Sequence, residues 1–259
     1  MSTILTISGQ RGGTGKSVTA VNLASSLALL EKNTLLIDTD PQGSATHWCG
    51  IRQTDYAGDL ASVLSARVKF TDAVVRTEFK YLDIMPSGFN LVQVAAGLAK
   101  HSENEKLLRL FLTDVEKDYD YIIIDPPSSY GFLSMMAITA ADRLLICMPI
   151  PQTRAEDFPD LLRCVKYIKT RHQIPLKIAG LLFTRCESKE ARLSFIRSRG
   201  LSDANRLIFN TFIPEDDKIE EVINMKIPAA LHDIKGPAAS AYLNLAREVH
   251  SFFNKKGAI

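Results

Sequence analysis

Residues 9–17 read Gly9-Gln10-Arg11-Gly12-Gly13-Thr14-Gly15-Lys16-Ser17. Ahead of them lies Ile4-Leu5-Thr6-Ile7-Ser8, an apolar run that reads as a strand. Behind them, Val18 to Leu30 repeats its apolar residues at helical spacing. Strand, glycine-rich loop and helix, in that order, form the context of a phosphate-binding loop. Glycine lets backbone N–H groups turn inward around an anion, and the following helix points its positive end at the same place. In such a loop Lys16 reaches the β- and γ-phosphates and Ser17 holds Mg2+. The strict spacing G-x-x-x-x-G-K-[ST] is not met, because Gln10 stands where its first glycine belongs.

Two further runs, Thr34-Leu35-Leu36-Ile37-Asp38 and Tyr121-Ile122-Ile123-Ile124-Asp125, are apolar until they close on a carboxylate. Strands of that kind belong to a parallel sheet covered on both faces. Other strands are expected over residues 81–88 (with a turn), 143–148, 177–184 and 207–213. Helices are expected over 59–64, 107–115, 132–141, 155–171, 189–199 and 238–254. This alternation predicts an α/β fold, a doubly wound and mostly parallel sheet flanked by helices, in one domain spanning residues 1–259. Ligands of such sheets bind beyond the carboxyl ends of the strands, where Ser8, Asp38 and Asp125 would gather.

Composition narrows the function classes. The chain has 259 residues, 46% hydrophobic and 23% charged, as in an ordinary globular protein. No apolar run approaches the roughly 18 residues of a membrane span. Met1 leads almost directly into the first strand, so no signal peptide is expected. The cysteines Cys49, Cys147, Cys164 and Cys186 form no C-x-x-C pair, which argues against zinc or iron–sulfur sites and for reduced thiols in a cytoplasmic protein. The net charge of +2 is unevenly spread: residues 163–206 hold 11 basic and 3 acidic side chains. Such an excess is either a solvated helix face or a nucleic-acid footprint.

Asp125, at the end of an apolar strand, has the form of a Walker B acid, which binds Mg2+ directly or through a coordinated water. Asp38 and Asp40 lie two apart at another strand end, with a turn between them.

The segment Arg11–Ser17 resembles the deviant Walker A loop of the ParA/MinD ATPases, usually K-G-G-x-G-K-[ST], with Arg11 at the first lysine. Leu35-Leu36-Ile37-Asp38-Thr39-Asp40-Pro41-Gln42-Gly43-Ser44 is similar to the second ParA motif. Asp125-Pro126-Pro127-Ser128 resembles the switch segment D-x-P-P, one residue shorter before the proline pair. Val21-Asn22-Leu23-Ala24, Ala140-Ala141-Asp142, Ile213-Pro214-Glu215-Asp216 and the stretch from Lys226-Ile227-Pro228 to Val249 extend the resemblance over nearly the whole chain.

The resemblance implies a P-loop NTPase fold and a slow, Mg2+-dependent ATP hydrolase. By it, Arg11, Gly12, Gly13, Thr14, Gly15, Lys16, Ser17 and Val18 hold ATP, with Arg185 and Pro214 near the base. Ser17, Asp38 and Asp125 attend the metal, with Asp38 supporting the metal and its waters. Lys16, Asp40 and Arg11 are the catalytic group: Asp40 positions the attacking water, and Arg11 stands where the family's lysine reaches the partner subunit's ATP. It further implies an ATP-dependent homodimer that binds DNA without sequence preference. Arg192, Arg197, Arg199 and Arg206 are the first candidates for that contact, followed by Lys166, Lys169 and Arg171. A ParB-like adaptor would speed hydrolysis in a cytoplasmic, nucleoid-associated system that moves plasmids, chromosomes or other large cargo.

Two alternatives accompany that reading: a MinD-like membrane-associated positioning ATPase, and a nucleotide-binding regulatory subunit with little turnover. The apolar face from Tyr242 to Phe253 reads as packing against the body, and only six residues follow Phe253. A membrane anchor is therefore not expected.

Overall fold

The computed structural model describes residues 2–9, 13–129, 131–153, 157–199, 201, 206–216 and 218–254. Its strands are β1 (Thr3–Ser8), β2 (Thr34–Asp38), β3 (Val75–Arg76), β4 (Leu82–Met85), β5 (Tyr121–Asp125), β6 (Arg143–Pro149) and β7 (Lys177–Thr184). Among the described residues these seven make one sheet in the order β3-β4-β2-β5-β1-β6-β7. Every neighbouring pair is parallel except the short edge strand β3 against β4. The expected doubly wound, mostly parallel sheet is what forms.

The helices are α1 (Lys16–Leu29), α2 (Ser44–Trp48), α3 (Leu60–Leu64), α4 (Phe70–Ala73), α5 (Asn90–Leu98), α6 (Leu107–Leu112), α7 (Phe132–Ala140), α8 (Asp157–His172), α9 (Lys189–Ser198), α10 (Lys218–Met225), α11 (Ala229–His232) and α12 (Pro237–Asn254). Successive strand residues point to opposite faces, and the cores follow that period. Leu5, Ile7, Leu36, Ile123 and Leu145 pack with α1 and α12. Ile4, Leu35, Ile37, Ile122 and Ile124 pack with α3, α5, α6 and α7. Leu144, Ile146, Leu181 and Phe183 pack with α8 and α9. All-apolar strands are the consequence of burying both faces.

The chain makes β1 in the middle and moves out to β2 on one side. It later returns to lay β5 between them before building β6 and β7 on the other side. This reversal opens a crevice at the carboxyl ends of β1, β2 and β5. Register brings Asp38 of β2 directly beside Asp125 of β5.

The expected strand over residues 207–213 does not form. Only Ile208 bridges Leu181, and Ile213 N–H donates to the Phe183 carbonyl at 2.9 Å. Phe209 N–H also donates to the Leu181 carbonyl at 3.0 Å, but between these points side chains take the backbone groups that a continuous ladder would need. Arg192 Nη1 donates to the carbonyls of Phe209 and Asn210, while the Glu248 carboxylate accepts from the N–H groups of Asn210 and Thr211. The segment crosses β7 at Gly180, where a Cβ would lie 2.7 Å from the Phe209 ring. The helix expected over 107–115 is shortened to α6, preceded by a 3-10 turn at Ser102–Lys106.

Among the described residues no helix is long and apolar enough to cross a membrane. Near its end α12 lies against the sheet. Arg143 approaches the rings of Phe252 and Phe253 at 5.8 and 5.1 Å. The Tyr121 hydroxyl is 2.8 Å from His250 Nδ1.

Candidate functional site

The loop after β1 is shaped by its glycines. Gly13 and Gly15 have φ of 77° and 82°, left-handed values that favour glycine. Gly15 is the N-cap of α1, and its carbonyl already accepts from Thr19 N–H at 2.8 Å. A Cβ on Gly9 would collide with the Thr14 side chain. Gln10, Arg11 and Gly12 lie outside the described residues.

Lys16 opens α1 and is only 5% exposed. Its Nζ donates to Ser128 Oγ at 3.1 Å, on the loop that carries Pro126 and Pro127. Burial lowers its pKa, against the opposing charges of Asp125, Cys147 and Asp40.

Asp125 ends β5 fully buried, and neither carboxylate oxygen meets a hydrogen-bond partner in good geometry among the described residues. Burial pushes its pKa well up, and the neighbouring Asp38 adds to this. The Ser17 hydroxyl opposes the shift, Asp40 reinforces it, and Lys16 opposes it. A buried carboxylate without partners is costly. Its setting beside a serine hydroxyl and a lysine fits a divalent cation with phosphate oxygens. No cluster of three or more His, Cys, Asp or Glu with the geometry of a metal cage occurs among the described residues. That donor set suits Mg2+, which keeps most of its waters and takes few protein ligands.

Asp38 differs from Asp125 because its oxygens are occupied. Oδ1 accepts from Asp40 N–H at 3.0 Å. Oδ2 accepts from Thr46 N–H and from the Thr46 hydroxyl, each at 2.8 Å. Burial moves its pKa up to about 6, against these hydrogen bonds. Asp38 is thus suited to orient the loop and to meet a metal through water. Asp40 follows on the turn, where its Oδ1 accepts from Gln42 N–H and its carbonyl from Gly43 N–H, both at 2.9 Å. Thr39 ties this turn to β5, its N–H and hydroxyl both donating to the Asp125 carbonyl at 2.9 Å.

Beside the loop lies a cavity of about 290 Å³ whose lining includes Gly15, Val18, Arg185, Pro214, Ile219 and Tyr242. It brings Val18, Arg185 and Pro214, far apart in sequence, to one place next to the phosphate loop. Arg185 is exposed and has φ of 50°, a strained value for arginine. The wall is fixed from behind: Thr19 Oγ1 and Tyr242 Oη are 3.2 Å apart, and Asn22 accepts from Ala229 N–H at 2.7 Å.

The basic candidates divide. Arg192, expected on a DNA-facing surface, is 9% exposed and spent on the carbonyls of Phe209 and Asn210, with its guanidinium 5.7 Å from the Phe212 ring. It is corrected to a residue that holds the 207–213 segment. Arg197, Arg199 and Arg206 are exposed, as are Lys166, Lys169 and Arg171 on α8. Both α8 and α9 turn their apolar residues into the same core layer, so their basic residues flank one side of the sheet.

Reading from sequence missed Thr46 and Thr39. Thr39 directly follows a strand-ending aspartate, which is a signal; Thr46, on the helix beyond the next turn, carries none.

A family model described as an AAA domain matches residues 2–178. The chain is 33% identical over 246 residues to the chromosome partitioning protein ParA of Myxococcus xanthus, across 95% of this chain and 87% of that one. It is 31% identical over 249 residues to the sporulation initiation inhibitor protein Soj of Bacillus subtilis, across 96% and 98%. Among solved structures, the septum site-determining protein MinD complexed with Mg-ADP from Pyrococcus horikoshii superposes with a TM-score of 0.81 at 22% identity, covering 100% of both chains.

Proposed function

Because the chain belongs to the ParA/MinD family of P-loop ATPases, we propose that it is a ParA-type partition ATPase built as one domain over residues 1–259. ATP lies along residues 11–18 with its base in the cavity between Arg185 and Pro214. Two subunits close around two nucleotides, and Arg11 of each reaches the other's phosphates. The closed dimer binds DNA without sequence preference through the exposed basic residues of α8, α9 and the segment after it. Hydrolysis, slow alone and faster with a ParB-like adaptor, releases it. The protein is cytoplasmic and nucleoid-associated, and its cargo is a plasmid, a chromosome or another large assembly.

One observation carries this reading: the fully buried Asp125 carboxylate, whose oxygens meet no hydrogen-bond partner in good geometry among the described residues, shares the strand-end crevice with Lys16 and the Ser17 hydroxyl. When bound, Mg2+ neutralises the charge that builds on the phosphate oxygens. Ser17 and Asp125 hold it, and Asp38 meets its waters. Lys16 brings a positive charge to the β- and γ-phosphates, and the N–H groups of the glycine loop bind the remaining oxygens. Asp40 orients water, which requires position rather than strong basicity. A phosphate at Lys16 competes with Ser128 for the same ammonium. Loss of the terminal phosphate is thereby reported to the Pro126–Pro127 loop.

The test is retention on non-specific DNA with ATP, with ADP and without nucleotide, over a salt series. Retention with ATP alone, weakening steeply with salt, is expected. Equal retention in all three states overturns the DNA cycle. ATP-dependent pelleting with anionic vesicles, in the absence of DNA retention, would favour a MinD-like role instead. The packing of Phe252 and Phe253 about Arg143 supports the DNA reading.

A further inference from the structure

Thr46 lies outside every motif of the phosphate site, yet its hydroxyl joins two strand ends, those of β4 and β2. Ser87 N–H, just beyond β4, donates to Thr46 Oγ1 at 3.0 Å. That hydroxyl donates to Asp38 Oδ2 at 2.8 Å, and the Thr46 N–H donates to the same oxygen at 2.8 Å. The other Asp38 oxygen accepts from Asp40 N–H at 3.0 Å. The chain of bonds runs from the end of β4, through α2 and the end of β2, to the backbone of the residue that orients water. Thr46, Asp38 and Ser87 are all buried, which shields these bonds from bulk water.

The donor count explains why a hydroxyl is needed at this position. Only a group that both accepts and donates can take the Ser87 N–H and still give a proton to Asp38. Valine has the same shape and can do neither. Its backbone N–H would still hold Oδ2, and Asp40 N–H would still hold Oδ1, but the carboxylate would lose one of its three bonds and its tie to the end of β4. The less firmly anchored carboxylate would let the Asp40 turn, bonded to its other oxygen, shift.

We propose that Thr46 is a positioning residue for hydrolysis: through Asp38 it sets where the Asp40 turn stands, without touching nucleotide. This rests on the ATPase reading above, with Asp40 as the water-orienting residue. A polar cleft of about 540 Å³, lined by Pro41, Gln42, Gly43, Thr46, Ser87 and others, opens onto the same turn. The turn therefore has room to shift when its anchor is lost.

The experiment compares Thr46→Val, Thr46→Ala and Thr46→Ser with the unmodified chain. It measures ATP turnover at saturating Mg-ATP, affinity for a fluorescent ATP analogue, and melting temperature. Thr46→Val should lower kcat by about 10- to 100-fold, as expected for a small misplacement of a reacting group, with analogue affinity nearly unchanged. Thr46→Ser, which keeps the hydroxyl, should restore kcat to within about threefold of the unmodified chain. An unchanged kcat in Thr46→Val overturns the proposal. So does a parallel fall in kcat and affinity, or failure of both Thr46→Val and Thr46→Ala to fold, since either makes the hydroxyl a fold determinant only. No turnover by the unmodified chain defeats the ATPase reading instead, which keeps the two failures distinct.

Discussion

Asp40, on the turn after β2, and Asp125, at the end of β5, face opposite physical demands. Asp125 is fully buried and needs a cation, while Asp40 is held only by turn hydrogen bonds at its own loop. Replacing Asp40 with alanine should leave ATP affinity within about threefold and cut turnover by roughly 10²-fold, because only the transition state uses its orientation of water. Single-turnover kinetics beside equilibrium analogue binding check this, and a parallel loss of binding would move Asp40 to the metal. Arg11 calls for a paired test. Arg11→Lys should retain ATP-dependent dimerisation and Arg11→Ala should lose it, since both cations reach phosphate but alanine does not. Size exclusion with a non-hydrolysable analogue reads the result, and a normal Arg11→Ala dimer removes the trans role. The residues of this site that were legible in sequence are those whose chemistry lies within one continuous stretch: the loop at 9–17 and the acids that close apolar strands. Thr46 was not legible, because its role depends on β4 lying beside β2, and that adjacency follows from the sheet order.

At the scale of elements, α9 shows what a charge count conceals. The basic excess over residues 163–206 is visible, but a helix carrying Arg192 and Arg197, with Arg199 just after its end, gives no sign of which one turns inward. Burial against the carbonyls of Phe209 and Asn210 decides it. The same contacts, with those of Glu248, occupy backbone groups at residues 209–211, so the segment 207–213 pairs with β7 only at scattered points rather than as a continuous strand. Arg192→Ala should destabilise the fold by about 1–3 kcal/mol by leaving the buried Phe209 carbonyl without this partner. Arg197→Ala with Arg199→Ala should leave the melting temperature nearly unchanged. That double variant should instead weaken ATP-dependent DNA retention and reduce its salt slope by about one for each phosphate no longer neutralised. Chemical denaturation separates the two classes, and an unaltered salt slope in the double variant would remove α9 from the DNA surface.

The molecule as a whole is closed by α12, which lies along α1 and meets the sheet at both ends. Near its carboxyl end His250 accepts or donates at Tyr121, with Lys32 and Asp120 close by. Partial burial first, then the Lys32 charge, lower the His250 pKa below its ordinary value of 6.5, while Asp120 opposes them. The unfolded chain therefore takes up this proton before the native one does, and native stability is lost as pH falls below about 6.5. The melting temperature should rise from about pH 5.5 to 7, and rise less in His250→Gln. An identical profile in the variant would assign the dependence elsewhere. Near its other end α12 supplies Tyr242 to the cavity whose opposite wall is Gly15 and Val18. The two walls are separated by nearly the whole length of the chain. On the ribosome, at about 5–20 residues per second, they emerge on the order of 10–45 s apart. A nascent chain thus exposes its phosphate-loop sequence long before the strands that flank it, and last of all the helix that walls the base cavity, are made, and nucleotide capture becomes a late checkpoint of synthesis.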